Sequence, residues 1–258
     1  MTGAELARLL GTSQSRVSKI ENGNLRVDIR DVRRWLHKVN APGGAFEEVL
    51  TVAEQGEVTL GAPSGESGSE LLEREKLYGR LEHTARVIHL WSPAKMPGLF
   101  QTAGYAKHEL GPAADSADSA AEVVRARMTR QEVLSDPLVH CDLILGEAAL
   151  RNSFGGRSSM SDQLARLAAY ADFPSVDLRV LEFASGSAIP YWPQFTLYES
   201  AGERCSVVIL ENPLNDFLET RPEFVRRYEW AHARYREHAL CGGEAVALVR
   251  AIAATTTG

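Results

Sequence analysis

Between Ser13 and Glu21 the chain sets Gln14, Ser15, Arg16, Ser18 and Lys19 within two turns of a helix-compatible stretch. These side chains hydrogen-bond in forks or over short reach, which is the chemistry that reads nucleic-acid base edges. Gln pairs bidentately with adenine, Arg or Lys reaches guanine O6 and N7, and Ser serves either. Val17 and Ile20 interrupt the polar run at i, i+3 spacing, so one stripe faces inward and the rest faces out. Asn22 and Arg26 follow at once, then Arg30, Arg33 and Arg34. Basic groups beside such a face hold phosphates, which fixes register without reading sequence.

The elements that position these residues are two short helices. Gly3 to Leu10 has helical spacing, with Leu6, Leu9 and Leu10 expected inward and Ala7 at the crossing. Gly11 suits the left-handed residue that ends a helix, and Ser13 is expected to cap the next. Asn22-Gly23 stops that helix. Two such helices around a short turn have helix-turn-helix geometry, which an ordinary helical hairpin with a polar outer face shares. Asp28 is expected to cap a third helix carrying Ile29, Val32, Leu36 and Val39. Pro42-Gly43-Gly44 breaks it, and Phe46, Val49, Leu50 and Ala53 line a fourth.

Net charge is −6, unfavourable for nucleic acid on its own. The distribution is not even: the first 40 residues hold eight Lys/Arg against four Asp/Glu, and the remainder holds 20 against 30. A basic head on an acidic body suits a protein that presents one end to phosphate. Apolar residues make up 44% of the 258, enough for a proper core. No apolar run reaches the roughly 18 residues of a membrane span, and the N-terminus has no signal-peptide pattern. Three dispersed cysteines, Cys141, Cys205 and Cys241, favour neither disulfides nor a zinc cage, and fit a reducing cytoplasm.

Residues 56–70, rich in Gly, Ser, Glu and Pro, read as a linker between a head at 1–55 and a body at 71–258. In the body, helices are expected at 71–83, 102–110, 119–134, 147–153, 159–171, from Pro222 to about Leu240, and at 243–254. Strands are expected at 86–91, 138–145, 176–183, 194–200 and 205–211. Alternation in LVHCDLIL puts Val139, Cys141, Leu143 and Leu145 on one face and His140 and Asp142 on the other, the pattern of a half-buried strand. CSVVILE, apolar almost throughout, suggests a central one. The fold class is thus a mainly α head joined to a larger α+β body with a small antiparallel or mixed sheet.

Pro97-Gly98 is expected to turn Leu99 and Phe100 into a core, with Gln101-Thr102 capping the next helix. Arg127, Arg130 and Gln131 share one helix face. A solvated face is the default there, and a contact for an acidic partner or ligand is the alternative. The Tyr191-Trp192-Pro193 loop is expected to pack, with a ligand or partner surface as the alternative. His83, His89, His140, His232 and His238 are scattered and read as surface or satisfied core residues. Cys141 reads as core filler. Catalytic motifs such as G-x-S-x-G, a P-loop or H-E-x-x-H are absent, so no enzyme, catalytic residue, metal or cofactor is expected.

The run Ala7, Gly11, Ser13, Val17, Ser18, Glu21, Gly23 resembles the lambda-repressor-like, or XRE-type, helix-turn-helix family, in which the pattern is A-x-x-x-G-x-[ST]-x-x-x-[IV]-S-x-[hydrophobic]-E-x-G. The resemblance implies that Gln14, Ser15, Arg16, Ser18 and Lys19 approach bases, that Asn22 and Arg26 lie near phosphate, and that Glu21 is structural. That family's domain has five helices, one of them before the motif, so a first helix is expected to be missing here and the true start to lie upstream of Met1. The segments PAKMPGLFQTAGYA, RMTRQEVL and EAALRNSFGGRSSMSDQLARL resemble an actinobacterial regulator family that includes the WhiJ-type proteins. Its members join an XRE-type head to an antitoxin-like domain of unknown biochemistry. This second resemblance implies a cytoplasmic transcription regulator, often encoded beside a small partner protein. Double-stranded DNA is then the expected partner, with the chain acting as a homodimer. A protein-interaction module that has lost DNA binding is the alternative.

Overall fold

The chain divides into two units, Met1–Pro63 and Ser64–Gly258. A computed structural model describes residues 3–21, 35, 36, 38, 68–110, 116–185, 192–200, 206–211 and 216–256. The expected third and fourth head helices, apart from Trp35, Leu36 and Lys38, lie outside the described residues, as do Asn22, Gly23, Arg26 and Tyr191.

In the first unit, helix α1 runs Gly3–Leu10 and α2 runs Gln14–Glu21. Gly11, at φ +69°, makes the turn, a conformation open to glycine because it lacks Cβ. Ser13 Oγ accepts the Arg16 amide at 3.2 Å and so caps α2. Ala7, Leu10 and Val17 are buried between the helices, with Leu6 and Trp35 packed against them. Leu9, expected inward, is exposed. The inward stripe is Ala7 and Leu10, three apart, and Leu9 falls beside it; its carbonyl instead accepts Lys38 Nζ at 3.0 Å.

The second unit is built on a seven-stranded mixed sheet. Its elements are α3 (Gly68–Thr84), β1 (Ala85–Ser92), α4 (Ala103–Leu110), α5 (Ala117–Arg130), β2 (His140–Gly146), α6 (Glu147–Arg151), α7 (Arg157–Tyr170), β3 (Val176–Leu181), β4 (Phe195–Ser200), β5 (Ser206–Leu210), β6 (Phe217–Glu219), α8 (Pro222–His238), β7 (Leu240–Cys241) and α9 (Gly242–Thr256). The strand order is β6-β5-β4-β1-β2-β3-β7. β1, β2 and β3 are parallel to one another, and β4, β5, β6 and β7 each join antiparallel. This is a helical N-terminal stretch followed by an α+β domain.

Alternation along the strands feeds two cores. Ile88, Leu90, Cys141, Leu143, Leu145, Leu178, Val180, Tyr198 and Ile209 face Tyr78 of α3, Tyr105 of α4, Leu164 of α7 and Val249 of α9. On the reverse face Trp91, Ile144, Phe195, Leu197 and Val208 meet Val225, Ala231 and Tyr235 of α8. Trp91 stacks on Tyr235 with ring centroids 4.1 Å apart. Its indole N–H donates to the Trp192 carbonyl at 3.0 Å, while the Trp192 amide donates to the Tyr235 hydroxyl at 2.9 Å. Trp192 thus packs, as expected, while Pro193 is exposed.

Three expectations are corrected. β2 is buried on both faces, Asp142 included, because α8 covers the face read as half-open. β5 is not central: it lies between β4 and the short β6, and β1 holds the middle. Residues 68–70, read as linker, open α3.

Gly146 ends β2 where it passes the loop after β1, and a Cβ there would lie 2.4 Å from the Pro93 carbonyl oxygen. Gly146→Ala should therefore cost about 1–3 kcal/mol through overpacking. Gly243→Ala, where a Cβ meets nothing, should stay within about 0.5 kcal/mol of wild type. Urea unfolding followed by near-ultraviolet circular dichroism measures both.

Candidate nucleic-acid interface and two polar clusters

All five described residues expected to approach bases are exposed: Gln14, Ser15, Arg16, Ser18 and Lys19. They share α2 with Val17, which is wholly buried. Among its described side chains the helix therefore turns Val17 inward and offers a continuous polar surface opposite; the side chain of Ile20, also expected inward, lies outside those described. Asn22 and Arg26 lie outside the described residues.

In the second unit the three segments that carry the resemblance are brought together. Pro97, Gly98 and Leu99, from the first, line a cavity of about 370 Å³ with Arg127 and Arg130 from the second. From the third, Gln163 accepts the Thr102 amide at 2.7 Å and donates to the Phe100 carbonyl at 2.8 Å. The turn at 98–102 is thus tied to α7 by buried side-chain bonds. As expected, Leu99 and Phe100 are buried, and Thr102 Oγ1 caps α4 by accepting the Tyr105 amide.

Arg127 and Arg130 do not form a solvated face. Arg127 is 5% exposed and donates to Glu75 through Nε and Nη2 at 2.9 and 2.6 Å, and through Nη1 to Gln101 and Glu109 at 2.8 Å each. Arg130 pairs with Glu75 and Glu82 and lies over the Tyr78 ring at 4.8 Å. Glu109 also receives Lys95 Nζ at 2.9 Å, and Lys95 reaches Glu211 at 3.1 Å. α5 packs against α3, so its arginines meet the acids of α3 instead of water.

Burial raises the Glu75 carboxyl, but Arg130 and Arg127 outweigh it and leave the group below its usual value. For Glu109, burial also acts upward, and Lys95 and Arg127 overcome it, bringing the group down to about 2. Glu82 goes the other way: burial, with Glu75 adding to it, wins over the guanidinium groups of Arg130 and Arg127, and its carboxyl is raised.

A second cluster lies on the α8 face. His89 of β1 and Asp142 of β2 are register partners on adjacent parallel strands, and His232 of α8 stands over them with its ring 4.8 Å from that of His89. His89 Nε2 is 3.0 Å from Glu199 Oε1, while its Nδ1 is 3.7 Å from Asp142 Oδ2, too far for a hydrogen bond. Arg236, one turn beyond His232, pairs with Asp142 and with Asp177, the latter at 2.7 Å. Among the described residues, three buried atoms here have no hydrogen-bond partner: His89 Nδ1, Asp142 Oδ1 and His232 Nε2. These histidines are therefore not the satisfied residues expected. Burial pushes the His232 imidazole down to about 4, with His89 adding to the effect and Asp142 opposing it. For His89, burial is overcome by Asp142 and Glu199, and its pKa is raised. Cys141 behaves as core filler, burial pushing its thiol up to about 12.

Residues 76–251 match the family described as Domain of unknown function (DUF5753). The chain belongs to this family. No curated protein and no solved structure matches it. The DUF5753 range begins inside α3 and ends inside α9, so it takes in the His89 cluster and all of the arginine cluster except Glu75. It leaves α1 and α2 outside. Among the described residues no helix is long and apolar enough to cross a membrane.

The arginine cluster makes the DUF5753 domain acid-sensitive in a defined way. Glu109 has its folded value near 2 against an ordinary 4.5. Its contribution, up to about 3 kcal/mol, is fully present above pH 4.5 and is lost as pH falls towards 2. The urea midpoint of wild type should therefore drop more steeply across that window than the midpoint of Glu109→Gln. Arg127→Met, which removes one of the two cationic partners of Glu75 and of Glu109, should cost about 3–5 kcal/mol at neutral pH.

Proposed function

We propose that this protein is a sequence-specific DNA-binding transcriptional regulator of the XRE-type, WhiJ-type kind, acting in the cytoplasm as a homodimer. In this reading α2 enters the major groove. Gln14, Ser15, Arg16, Ser18 and Lys19 address base edges, and Asn22 and Arg26 hold phosphate. The DUF5753 domain serves for dimerisation, for sensing, or for holding an antitoxin-style partner such as a small protein encoded nearby.

One observation carries the reading: every described side chain of α2 except Val17 is exposed, and Val17 is fully buried against α1. A helix fixed from behind by the apolar contact of Val17, with forked and short polar groups in front, has what base readout requires. The basic excess in the first 40 residues supports the same partner. The Arg127–Glu75–Arg130 cluster is not counted as a DNA contact, because its guanidinium groups are buried and paired.

The test is selection of binding sites by the full chain from a random duplex library, followed by fluorescence-anisotropy titration across a salt series. A defined site should emerge, and affinity should fall steeply with salt as phosphate counterions are released. The double variant Gln14→Ala with Lys19→Ala should lose about 1–3 kcal/mol of discrimination per contacted base pair. Arg26→Ala should weaken all sequences alike. No enriched site, or discrimination unchanged in the double variant, rejects base reading by α2. A pull-down that recovers a small protein with no DNA shift favours the interaction module.

A further inference from the structure

We propose that His89, Asp142 and His232 form a binding site for one divalent transition-metal cation of the zinc class, on the face of the sheet covered by α8. The proposal does not depend on DNA binding by the head.

Each of the three residues offers one ligand atom, and these atoms all lie within 4.8 Å of one another. His232 and Asp142 are each 3% exposed. The three orphaned atoms of the cluster, two ring nitrogens and a carboxylate oxygen, are those a cation of this class takes. In a buried site an unpaired acceptor costs about 1–3 kcal/mol, and here three acceptor-capable atoms occur at one place. Water is a poor substitute, since one molecule donates two protons.

The surroundings are those of a ligand set already oriented. Glu199 holds Nε2 of His89, which leaves Nδ1 towards the cluster. A carboxylate on the far nitrogen of a ligating histidine fixes its tautomer and raises its basicity. Arg236 holds Oδ2 of Asp142, leaving Oδ1 without a partner. On His232 the nitrogen without a partner among the described residues is Nε2.

Charge favours a cation over an anion. Asp142, Glu199 and Asp177 place three carboxylates around the cluster, against the guanidinium groups of Arg236 and Arg179. Donors around a tetrahedral ion stand about 3.3 Å apart, given bonds of about 2.0–2.1 Å. The set must therefore contract on binding. The side chain of His89, 22% exposed, and that of Arg236, 38% exposed, mark the side from which an ion enters.

The experiment uses the full chain, stripped with a chelator and titrated with Co(II), then Zn(II). One equivalent of Co(II) should give visible d–d absorption, and Zn(II) should displace it. Glu199→Gln, at a half-exposed position outside the cores, should weaken Co(II) binding 10–100-fold. Cys241→Ser should change nothing. His232→Ala should abolish stoichiometric binding. Because that substitution removes a buried ring, the wild-type chain decides the matter. In long-range 1H–15N spectra Zn(II) should shift His89 Nδ1 and His232 Nε2, and leave His83, His108 and His140 where they were. No stoichiometric ion on the wild-type chain, shifts confined to other histidines, or full affinity in Glu199→Gln would each overturn the proposal.

Discussion

Glu75 is 1% exposed and is held by two guanidinium groups, and the layer of helices above one face of the sheet depends on that arrangement. A carboxylate in the interior costs several kcal/mol in lost hydration, regained only if its partners are close and its lone pairs are filled. Arg127 and Arg130 meet both conditions. Their separation of three places both on the side of α5 that meets α3. Arg127 then passes the constraint to the loop after β1 and to α4, because Gln101 and Glu109 accept the hydrogen bonds that its Nη1 donates. Gln131 donates to the Gln101 carbonyl and accepts the Tyr170 hydroxyl, so α7 is drawn into the same network. Gly98 belongs to this economy of space: a Cβ there would stand 3.4 Å from the Arg127 guanidinium.

The sheet keeps this cluster apart from the other. Period-two alternation on β1 sends Ile88 and Leu90 to one face and His89 and Trp91 to the other. Parallel pairing in register sets Asp142 beside His89 and Asp177 beside Asp142, making a polar row across three strands. α8 covers that row with His232 and Arg236, four apart and so on one side of the helix. A single residue's slip between β1 and β2 would turn Asp142 into the apolar layer. The apolar contacts of Trp91, Ile144 and Tyr235 thus fix the register on which the polar row depends.

Much of this was legible in the sequence, and the failures have a common physical cause. α1 and most body elements fall within a few residues of their expected bounds, because local spacing and turn residues specify them. Gly11 and Ser13 did what their chemistry demanded. β6 and β7, of three and two residues, are too short to show a period, and exist only because β5 and β3 offer edges. Arg127 and Arg130 read as a solvated face because the acids that bury them lie about 50 positions away in the chain. Asp142 read as half-exposed for the same reason, since nothing local announces that α8 will cover it. Of the His89 cluster the sequence showed only dispersed residues. The one usable hint was a charged residue in an otherwise apolar strand.

The two clusters differ in a way that bears on purpose. In the arginine cluster the named charged groups all have partners, so folding alone accounts for it: helices α3 and α5 cannot close over those charges otherwise. The α8 face is not closed in that sense. Arg236 already compensates Asp142, and stacking of Trp91 on Tyr235 already anchors the helix. His89 and His232 add little that an apolar pair of similar volume would not supply, and they bring two unpaired ring nitrogens beside the unpaired Oδ1 of Asp142. Interiors rarely leave buried polar groups unpaired, and one that does calls for an explanation outside folding. Stability therefore does not explain that row of side chains, whereas the capture of a charged species does.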